Sequence, residues 1–201
     1  MIYLTSDLHF NHSREFIYKP RGFNSVEEMN NTIITNFNGV VTSVDDVYIL
    51  GDLMLGGPDK LDEGLNLISK LNGKLHLVRG NHCTDKRWEA YKGLHNVVEQ
   101  QNAIYLKYKG FHFYMSHYPT ITNNNDYDKP LNARLLNLCG HSHCKNKYTD
   151  MDKGYIYHVE LDCQDNMPVE INQIIRDFKN FIYLPLEEKN KITSMGVYKN
   201  E

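Results

Sequence analysis

Short apolar runs that end abruptly in polar residues recur along the first half of the chain. Residues 2–6, 47–50 and 75–78 are rich in strand-forming side chains, and a turn containing polar residues follows each run. Patterns with helical spacing occupy the intervals between these runs. Strands and helices therefore alternate, and this alternation predicts an α/β fold.

Two amphipathic helices are predicted in the intervals. Ser25 and Glu28 form a capping box, after which apolar side chains recur at helical spacing until Gly39. Apolar side chains at helical spacing over residues 61–68 indicate a second helix, which Gly73 terminates. Each helix is short enough to connect two neighbouring strands.

The second half of the chain introduces antiparallel pairing. Residues 104–108 and 111–115 are strand-like and are separated only by Lys109 and Gly110, a spacing typical of a tight hairpin. Two further strands are predicted over residues 135–139 and 155–161, and a late helix over 171–178. Residues 118–134, which contain three consecutive asparagines, are predicted to form a long irregular loop. We expect one domain over residues 1–185 and a polar C-terminal tail over 186–201.

The composition is that of an ordinary globular chain, with 201 residues, 41% hydrophobic and 23% charged. The formal net charge of −3, without a dense run of lysine and arginine, argues against a stable nucleic-acid complex or attraction to anionic membranes. Met1 leads through a short apolar run directly to Asp7, with no basic leader or long apolar segment. We therefore expect a soluble, cytoplasmic protein with no membrane partner.

The chain contains four cysteines that lack the paired spacing of common zinc motifs, namely Cys83, Cys139, Cys144 and Cys163. Reduced thiols are predicted for a chain of this kind. Cys83 and Cys144 each directly follow a motif described below, so a ligand or redox role is the alternative.

Five polar clusters each follow an apolar strand, where α/β sheets collect their ligands. They are Asp7-Leu8-His9, Gly51-Asp52, Gly80-Asn81-His82, Ser116-His117 and Gly140-His141-Ser142-His143. Any one of them alone is more often a turn or a helix cap than a ligand. The ordered set of five is far more specific.

This ordered set resembles the calcineurin-like metallophosphoesterase superfamily, whose motifs are Asp-x-His, Gly-Asp, Gly-Asn-His, a lone His and Gly-His-x-His. The resemblance covers residues 1 to about 163, and the opening Ser6-Asp7-Leu8-His9-Phe10-Asn11-His12 is similar to a small bacterial and phage branch of single-domain members. It implies a four-layer α/β/β/α sandwich of two mixed sheets flanked by helices.

The resemblance also implies two divalent metal ions. One would be bound by Asp7, His9 and His143 and the other by Asn81, His117 and His141, with Asp52 bridging them. Two ions roughly 3.5–4 Å apart clamp a phosphoryl group and lower the pKa of a shared water, which becomes a hydroxide nucleophile. The imidazole and oxygen donors suit manganese, iron or zinc, and manganese is our expectation.

Three more residues near the motifs are predicted to act on the substrate. In relatives of this type the residue equivalent to His82 sits beside the phosphate, where it protonates the leaving oxygen or stabilises its charge. His12 and Arg79 flank two motifs and are predicted phosphate contacts, with an ordinary loop position as the alternative. Asn11 stands where the branch usually has glycine. The histidines outside the motifs are interpreted as structural or surface residues, namely His76, His95, His112 and His158.

These observations predict a phosphodiesterase that acts on a small phosphate ester. The site has few arginines, which favours a diester monoanion over a monoester dianion. A phosphomonoesterase is one alternative, and a protein phosphatase is another, although that class expects Asp-Arg-Gly after Gly-Asp and an acidic residue at the position of Cys83. A non-catalytic scaffold is a third alternative, but no predicted ligand is replaced.

Overall fold

The computed structural model describes residues 1–122, 129–151, 155–185, 187–189 and 191. Ten strands form two five-stranded sheets within these residues. The strands are β1 (Ile2–Thr5), β2 (Asp46–Ile49), β3 (Lys74–Val78), β4 (Val97–Gln101), β5 (Ala103–Tyr108), β6 (Phe111–Ser116), β7 (Leu135–Cys139), β8 (Tyr148–Thr149), β9 (Ile156–His158) and β10 (Val169–Glu170). The helices are α1 (Glu15–Tyr18), α2 (Val26–Val40), α3 (Leu61–Ser69), α4 (Asp85–Tyr91) and α5 (Ile171–Tyr183).

Both sheets are mixed. The first has the strand order β10-β1-β2-β3-β4, in which β1 to β4 are parallel and β10 is antiparallel to β1. The second has the order β5-β6-β7-β9-β8, in which β6, β7 and β9 are parallel and the two outer strands are antiparallel to their neighbours. The predicted α/β fold with two mixed sheets and flanking helices is confirmed.

Alternation along the strands of the first sheet divides the core in two. One face buries Val47 and Leu75 against α2 and α3 in the first cluster. The opposite face sends Leu4 and Leu50 into a second cluster, which it shares with strands of the second sheet and with α5. The first sheet is therefore buried on both faces, as parallel strands usually are.

Helix α2 begins where the capping box predicts. The Ser25 hydroxyl accepts a hydrogen bond from the Glu28 backbone N–H at 3.1 Å. The Glu28 carboxylate accepts from the backbone N–H of Asn24 at 2.8 Å, rather than from that of Ser25. The helix runs one residue beyond Gly39 to Val40.

The predicted hairpin is confirmed, because β5 and β6 pair antiparallel in register from Ala103↔Ser116 to Tyr108↔Phe111. Lys109 has φ 47° and Gly110 has φ 82°, as a two-residue turn with left-handed central residues requires. The predicted strand over residues 155–161 is shorter than expected. It ends at His158, and a 3₁₀ turn over Leu161–Cys163 occupies the end of that range.

Part of the predicted loop and most of the predicted tail lie outside the described residues. Residues 123–128 of the loop are not described, and residues 131–133 form a 3₁₀ turn. Of the range 186–201, only residues 187–189 and 191 are described. Within the described part of the chain, no helix is both long and apolar enough to cross a membrane.

Candidate metal centre

The five polar clusters lie at the carboxyl ends of five strands, three in the first sheet and two in the second. Asp7 and His9 follow β1, Asp52 follows β2 and Asn81 follows β3. His117 follows β6, and His141 and His143 follow β7. A parallel bridge between Ser6 and Glu160 joins the segments beyond β1 and β9, which links the two sheets at this edge.

The first donor set contains Asp7, His9 and His143. The Nε2 atoms of His9 and His143 face each other at 3.1 Å. Asp7 Oδ1 lies 3.5 Å from His9 Nε2 and 3.8 Å from His143 Nε2. One cation between these three atoms would satisfy all of them.

The second donor set contains Asn81, His117 and His141. The side-chain oxygen of Asn81 lies 2.8 Å from His117 Nε2 and 2.9 Å from His141 Nδ1. An amide oxygen and two imidazoles form a neutral donor set, so the charge for a cation here must come from a neighbouring carboxylate.

Asp52 occupies the position between the two sets. Its Oδ2 atom lies 3.4 Å from His117 Nε2 in the second set and 4.0 Å from His9 Nε2 in the first. Its Oδ1 atom accepts a hydrogen bond from the backbone N–H of His82 at 2.9 Å, which fixes the carboxylate in this orientation. Asp52 is thus placed to bridge two cations.

The chemistry of these donors fits metal ions. Asp7 is fully buried, and its Oδ1 atom has no hydrogen-bond partner among the described residues. Leaving a buried carboxylate oxygen unpaired costs more than about 1–3 kcal/mol, a cost that a bound cation would remove. The structure therefore favours a cation at the first donor set on grounds independent of any motif.

Hydrogen bonds on the far side of two rings select the nitrogen that faces the centre. His117 Nδ1 lies 2.8 Å from the backbone oxygen of Leu50, and His143 Nδ1 lies 2.9 Å from Asp162 Oδ2. In each case Nε2 is left to face the donor set, as in most metal-binding histidines.

Asp162 is the site residue that the sequence interpretation missed. Asp162 lies in a 3₁₀ turn, and its Oδ2 atom lies 2.9 Å from His143 Nδ1. Asp162 also accepts a hydrogen bond at 2.7 Å from Arg21, which is buried and donates to the backbone oxygen of Asp7 as well. Asp162 belongs to none of the five motifs and follows a segment that contains His158 and Glu160, so no local signal identified it.

Burial and opposite charges set the protonation of the first donor set. Burial raises the pKa of Asp7, but the His9 ring 3.5 Å away, with His143 nearby, outweighs burial and holds the pKa below its usual range. Burial lowers the pKa of His143, but Asp162 and Asp7 raise it above its ordinary value. Burial, with the charge of His9, lowers the pKa of His12 to about 4. Asp7 is therefore ionised and His12 neutral at neutral pH.

Strained backbone is concentrated at the same positions. Five of the seven predicted ligands adopt left-handed conformations, with φ of 57° at Asp7, 50° at His9, 51° at Asp52, 73° at His141 and 49° at His143. Such a conformation costs about 1–3 kcal/mol per residue and persists where the surroundings enforce it. The turns after the strands are therefore shaped to aim these side chains.

A cavity of about 560 Å³ opens beside the two donor sets. His12 and His82 line it, and His82 Nε2 lies 4.0 Å from Asp52 Oδ2. The wall also includes four apolar residues and two cationic ones, namely Phe16, Ile17, Pro20, Leu55, Arg14 and Lys145.

Arg79 does not line this cavity. Its guanidinium forms an ion pair with Asp85, donates to the backbone oxygen of Cys83 at 3.2 Å and lies over the ring of Trp88. Arg79 would have to leave these partners to reach a substrate, so its predicted role as a phosphate contact stays a prediction.

A two-sheet α/β fold that carries two neighbouring donor sets of carboxylate, amide and imidazole groups is typical of the metallophosphoesterases. The chain belongs to the calcineurin-like phosphoesterase superfamily, whose domain matches residues 1–159. The family resemblance inferred from the motifs is therefore confirmed.

The chain is similar to proteins of an archaeon and of a phage. An uncharacterized protein of Methanocaldococcus jannaschii is 35% identical over 178 residues, covering 87% of this chain and 89% of that protein. Gene 66 protein of Mycobacterium phage L5 is 25% identical over 159 residues, covering 70% and 76%. The crystal structure of a protein of unknown function from Aquifex aeolicus has the same fold, with a TM-score of 0.63 at 24% identity over 88% of this chain and 98% of that one.

Proposed function

We propose that this phosphoesterase is a phosphodiesterase that uses two divalent metal ions to hydrolyse a small phosphate ester. The observation that carries the proposal is the position of Asp52 Oδ2, which lies within 4.0 Å of an imidazole nitrogen in each donor set. A carboxylate that lies between two such sets reduces the repulsion of two cations, which neutral imidazoles cannot do.

The predicted ligands would bind the two ions in two groups. Asp7, His9 and His143 would hold one ion and Asn81, His117 and His141 the other, with manganese as the expected metal. The bound ions would clamp the phosphoryl group and lower the pKa of a water molecule at the site.

His82 has its side chain 39% exposed in the cavity beside Asp52. From this position it would donate a proton to the leaving oxygen, or a hydrogen bond to the charge that develops there. His12 is expected to be neutral, since its pKa is about 4, so it would bind substrate by a hydrogen bond rather than by charge.

Two features of the cavity and its surroundings support a diester as the substrate. Two arginines close to the motifs, Arg21 and Arg79, are held by Asp162 and Asp85, which leaves fewer cations to neutralise a monoester dianion. The apolar wall, which includes Phe16 and Leu55, offers a surface for an organic substituent of the phosphate.

Replacing the bridging carboxylate tests the two-ion proposal. We expect Asp52→Ala to lose at least one tightly bound ion and its hydrolytic activity, because the remaining ligands cannot hold two cations close together. Metal content by elemental analysis and turnover of a nitrophenyl diester with added manganese would be measured together. Asp59→Ala, at an exposed aspartate, is the matched control and should behave like the unmodified protein. Two retained ions with normal turnover in Asp52→Ala would refute the proposal.

A further inference from the structure

A second cluster of metal-type donors lies in the core, close to His143 in the chain. Cys144, His158 and Glu160 are 7%, 1% and 0% exposed, and one donor atom from each lies within 4.8 Å of the others. Among the described residues that line the catalytic cavity, none belongs to this cluster. The proposed hydrolysis makes no use of it.

The donor atoms point towards one another. His158 Nε2 lies 2.7 Å from the Thr149 hydroxyl, so Nδ1 is the ring nitrogen that faces the cluster. His158 Nδ1 lies 3.1 Å from Glu160 Oε2. In a tetrahedral zinc site with bonds of about 2.0 Å to nitrogen or oxygen and 2.3 Å to sulfur, neighbouring donors lie roughly 3.3–3.8 Å apart.

Cys163 lies next to this cluster but is not one of its three mutually close donors. Its Sγ atom lies 3.4 Å from the backbone oxygen of His158 and 3.3 Å from that of Glu160. The Cys144 thiol donates to the backbone oxygen of Asn146 at 3.0 Å, and its Sγ atom lies within 4.8 Å of donor atoms of His158 and Glu160. The fold thus brings together two cysteines that are 19 positions apart and lack the spacing of a zinc motif.

An ion pair between His158 and Glu160 accounts for only half of this arrangement. It leaves the Cys144 thiol within 4.8 Å of a buried carboxylate, in a core that also holds the charge of Asp7. Two thiols, an imidazole and a carboxylate make up a donor set that zinc binds readily, because its structural sites combine cysteine sulfur with histidine nitrogen.

We propose that Cys144, His158, Glu160 and Cys163 bind a zinc ion with a structural role. Cys144, His158 and Glu160 would supply three donors from their present positions, and rotation of the neighbouring Cys163 side chain would bring in its Sγ atom as the fourth. Binding would displace the thiol protons of both cysteines into solvent, so the bound site would contain two thiolates, a carboxylate and a neutral imidazole.

The site would anchor the loop that carries two catalytic-centre ligands. Cys144 directly follows His143, and its backbone N–H already donates to Glu160 Oε1 at 2.9 Å. A zinc ion bound to the side chains of the same two residues would fix the loop end in the orientation that presents His143 to the cavity.

Cobalt substitution tests the proposal in the full-length chain. The donors of the catalytic centre are nitrogen and oxygen only, so a thiolate-to-cobalt charge-transfer band in the near ultraviolet must come from a cysteine site. We expect the unmodified protein loaded with Co²⁺ to show this band, and Asp52→Ala to keep it. Cys144→Ser and Cys163→Ser should lose the band, whereas Cys83→Ser, at a buried cysteine outside the cluster, should retain it.

The unmodified protein alone can overturn the proposal, whether or not the cysteine variants fold. Absence of the thiolate band in the cobalt-loaded chain would exclude the site. A band that survived both Cys144→Ser and Cys163→Ser, or that vanished in Cys83→Ser, would exclude this set of ligands. None of these results depends on hydrolysis, so the two-ion proposal for the catalytic cavity could fail independently.

Discussion

His82 is the residue whose chemistry can be separated most cleanly from metal binding. Its backbone N–H donates to Asp52, but its ring lies beside the donor sets rather than within them. We expect His82→Ala to keep both ions and to lower turnover roughly 10²–10⁴-fold, the usual contribution of a positioned acid. Turnover of esters with good and poor leaving groups would be compared, and a general acid matters less for the good ones.

The control for this substitution is His95→Ala, at an exposed histidine far along the chain from the motifs. An equal loss for good and poor leaving groups in His82→Ala would argue against proton donation and leave charge stabilisation as the role of the ring. Loss of metal from the variant would contradict the separation of roles altogether.

Asp162 lies 2.9 Å from His143 Nδ1, so we expect it to act by positioning that ring. We expect Asp162→Asn to weaken metal binding by roughly 10–100-fold, because an amide no longer orients and polarises the imidazole as a carboxylate does. Activity should recover as the manganese concentration is raised, which a direct catalytic role would not allow. Metal titration of activity measures this, with Asp165→Asn at an exposed neighbouring aspartate as control. Unchanged metal affinity would show that the His143 contact is incidental.

At the scale of elements, the strand ends that carry the predicted ligands pack closely against one another at two glycines, Gly140 and Gly80. A Cβ atom on Gly140 would collide with Ser6 Oγ and Asp7 Oδ2, and one on Gly80 would collide with Asp52. We expect Gly140→Ala to destabilise the fold by about 1–3 kcal/mol, as overpacking does, and to weaken metal binding. Thermal unfolding with and without manganese measures both effects.

Gly39→Ala is the matched control for this prediction. Nothing lies within 4 Å of the added methyl group, and the position is inside a helix, so the substitution should not destabilise the protein. A Gly140→Ala variant as stable as Gly39→Ala would show that the two strand ends can move apart without cost.

The elements with strong local signals could be predicted from the sequence, and those without them could not. The capping box at Ser25 and the turn at Lys109-Gly110 are contained within a few residues, so the sequence alone identified helix α2 and the hairpin. Strands β8 and β10 have two residues each, too few to show any alternation. Strand β4 was missed as well.

The same reasoning explains what the sequence revealed about the site. The five motifs are local, and the fold brings their predicted ligands to a single centre. The ion pair between Arg21 and Asp162 joins residues 141 positions apart. The cluster of Cys144, His158 and Glu160 depends on how the segments after β7 and β9 pack together. Neither arrangement has a periodicity or spacing that a sequence could display.

At the scale of the whole molecule, the proposed preference for diester substrates depends on how few cationic side chains can reach the cavity. Arg14 and Lys145 are the cationic side chains among the described residues that line the cavity. We expect a higher kcat/KM for a nitrophenyl diester than for the matched monoester, because a monoanion needs less neutralisation than a dianion. A monoester advantage of tenfold or more would overturn this preference and leave the metal ligands unaffected.

The division of the ligands between the two sheets has a consequence for the life of the protein in a cell. Each proposed ion would be bound by residues from both sheets, and would therefore crosslink the two sheets at this edge. Any ligand that binds only the folded state adds to its stability as its free concentration rises. If the proposed ions are bound, a shortage of metal in the cell would lower the stability of the folded protein as well as its activity, and proteases would degrade the protein sooner.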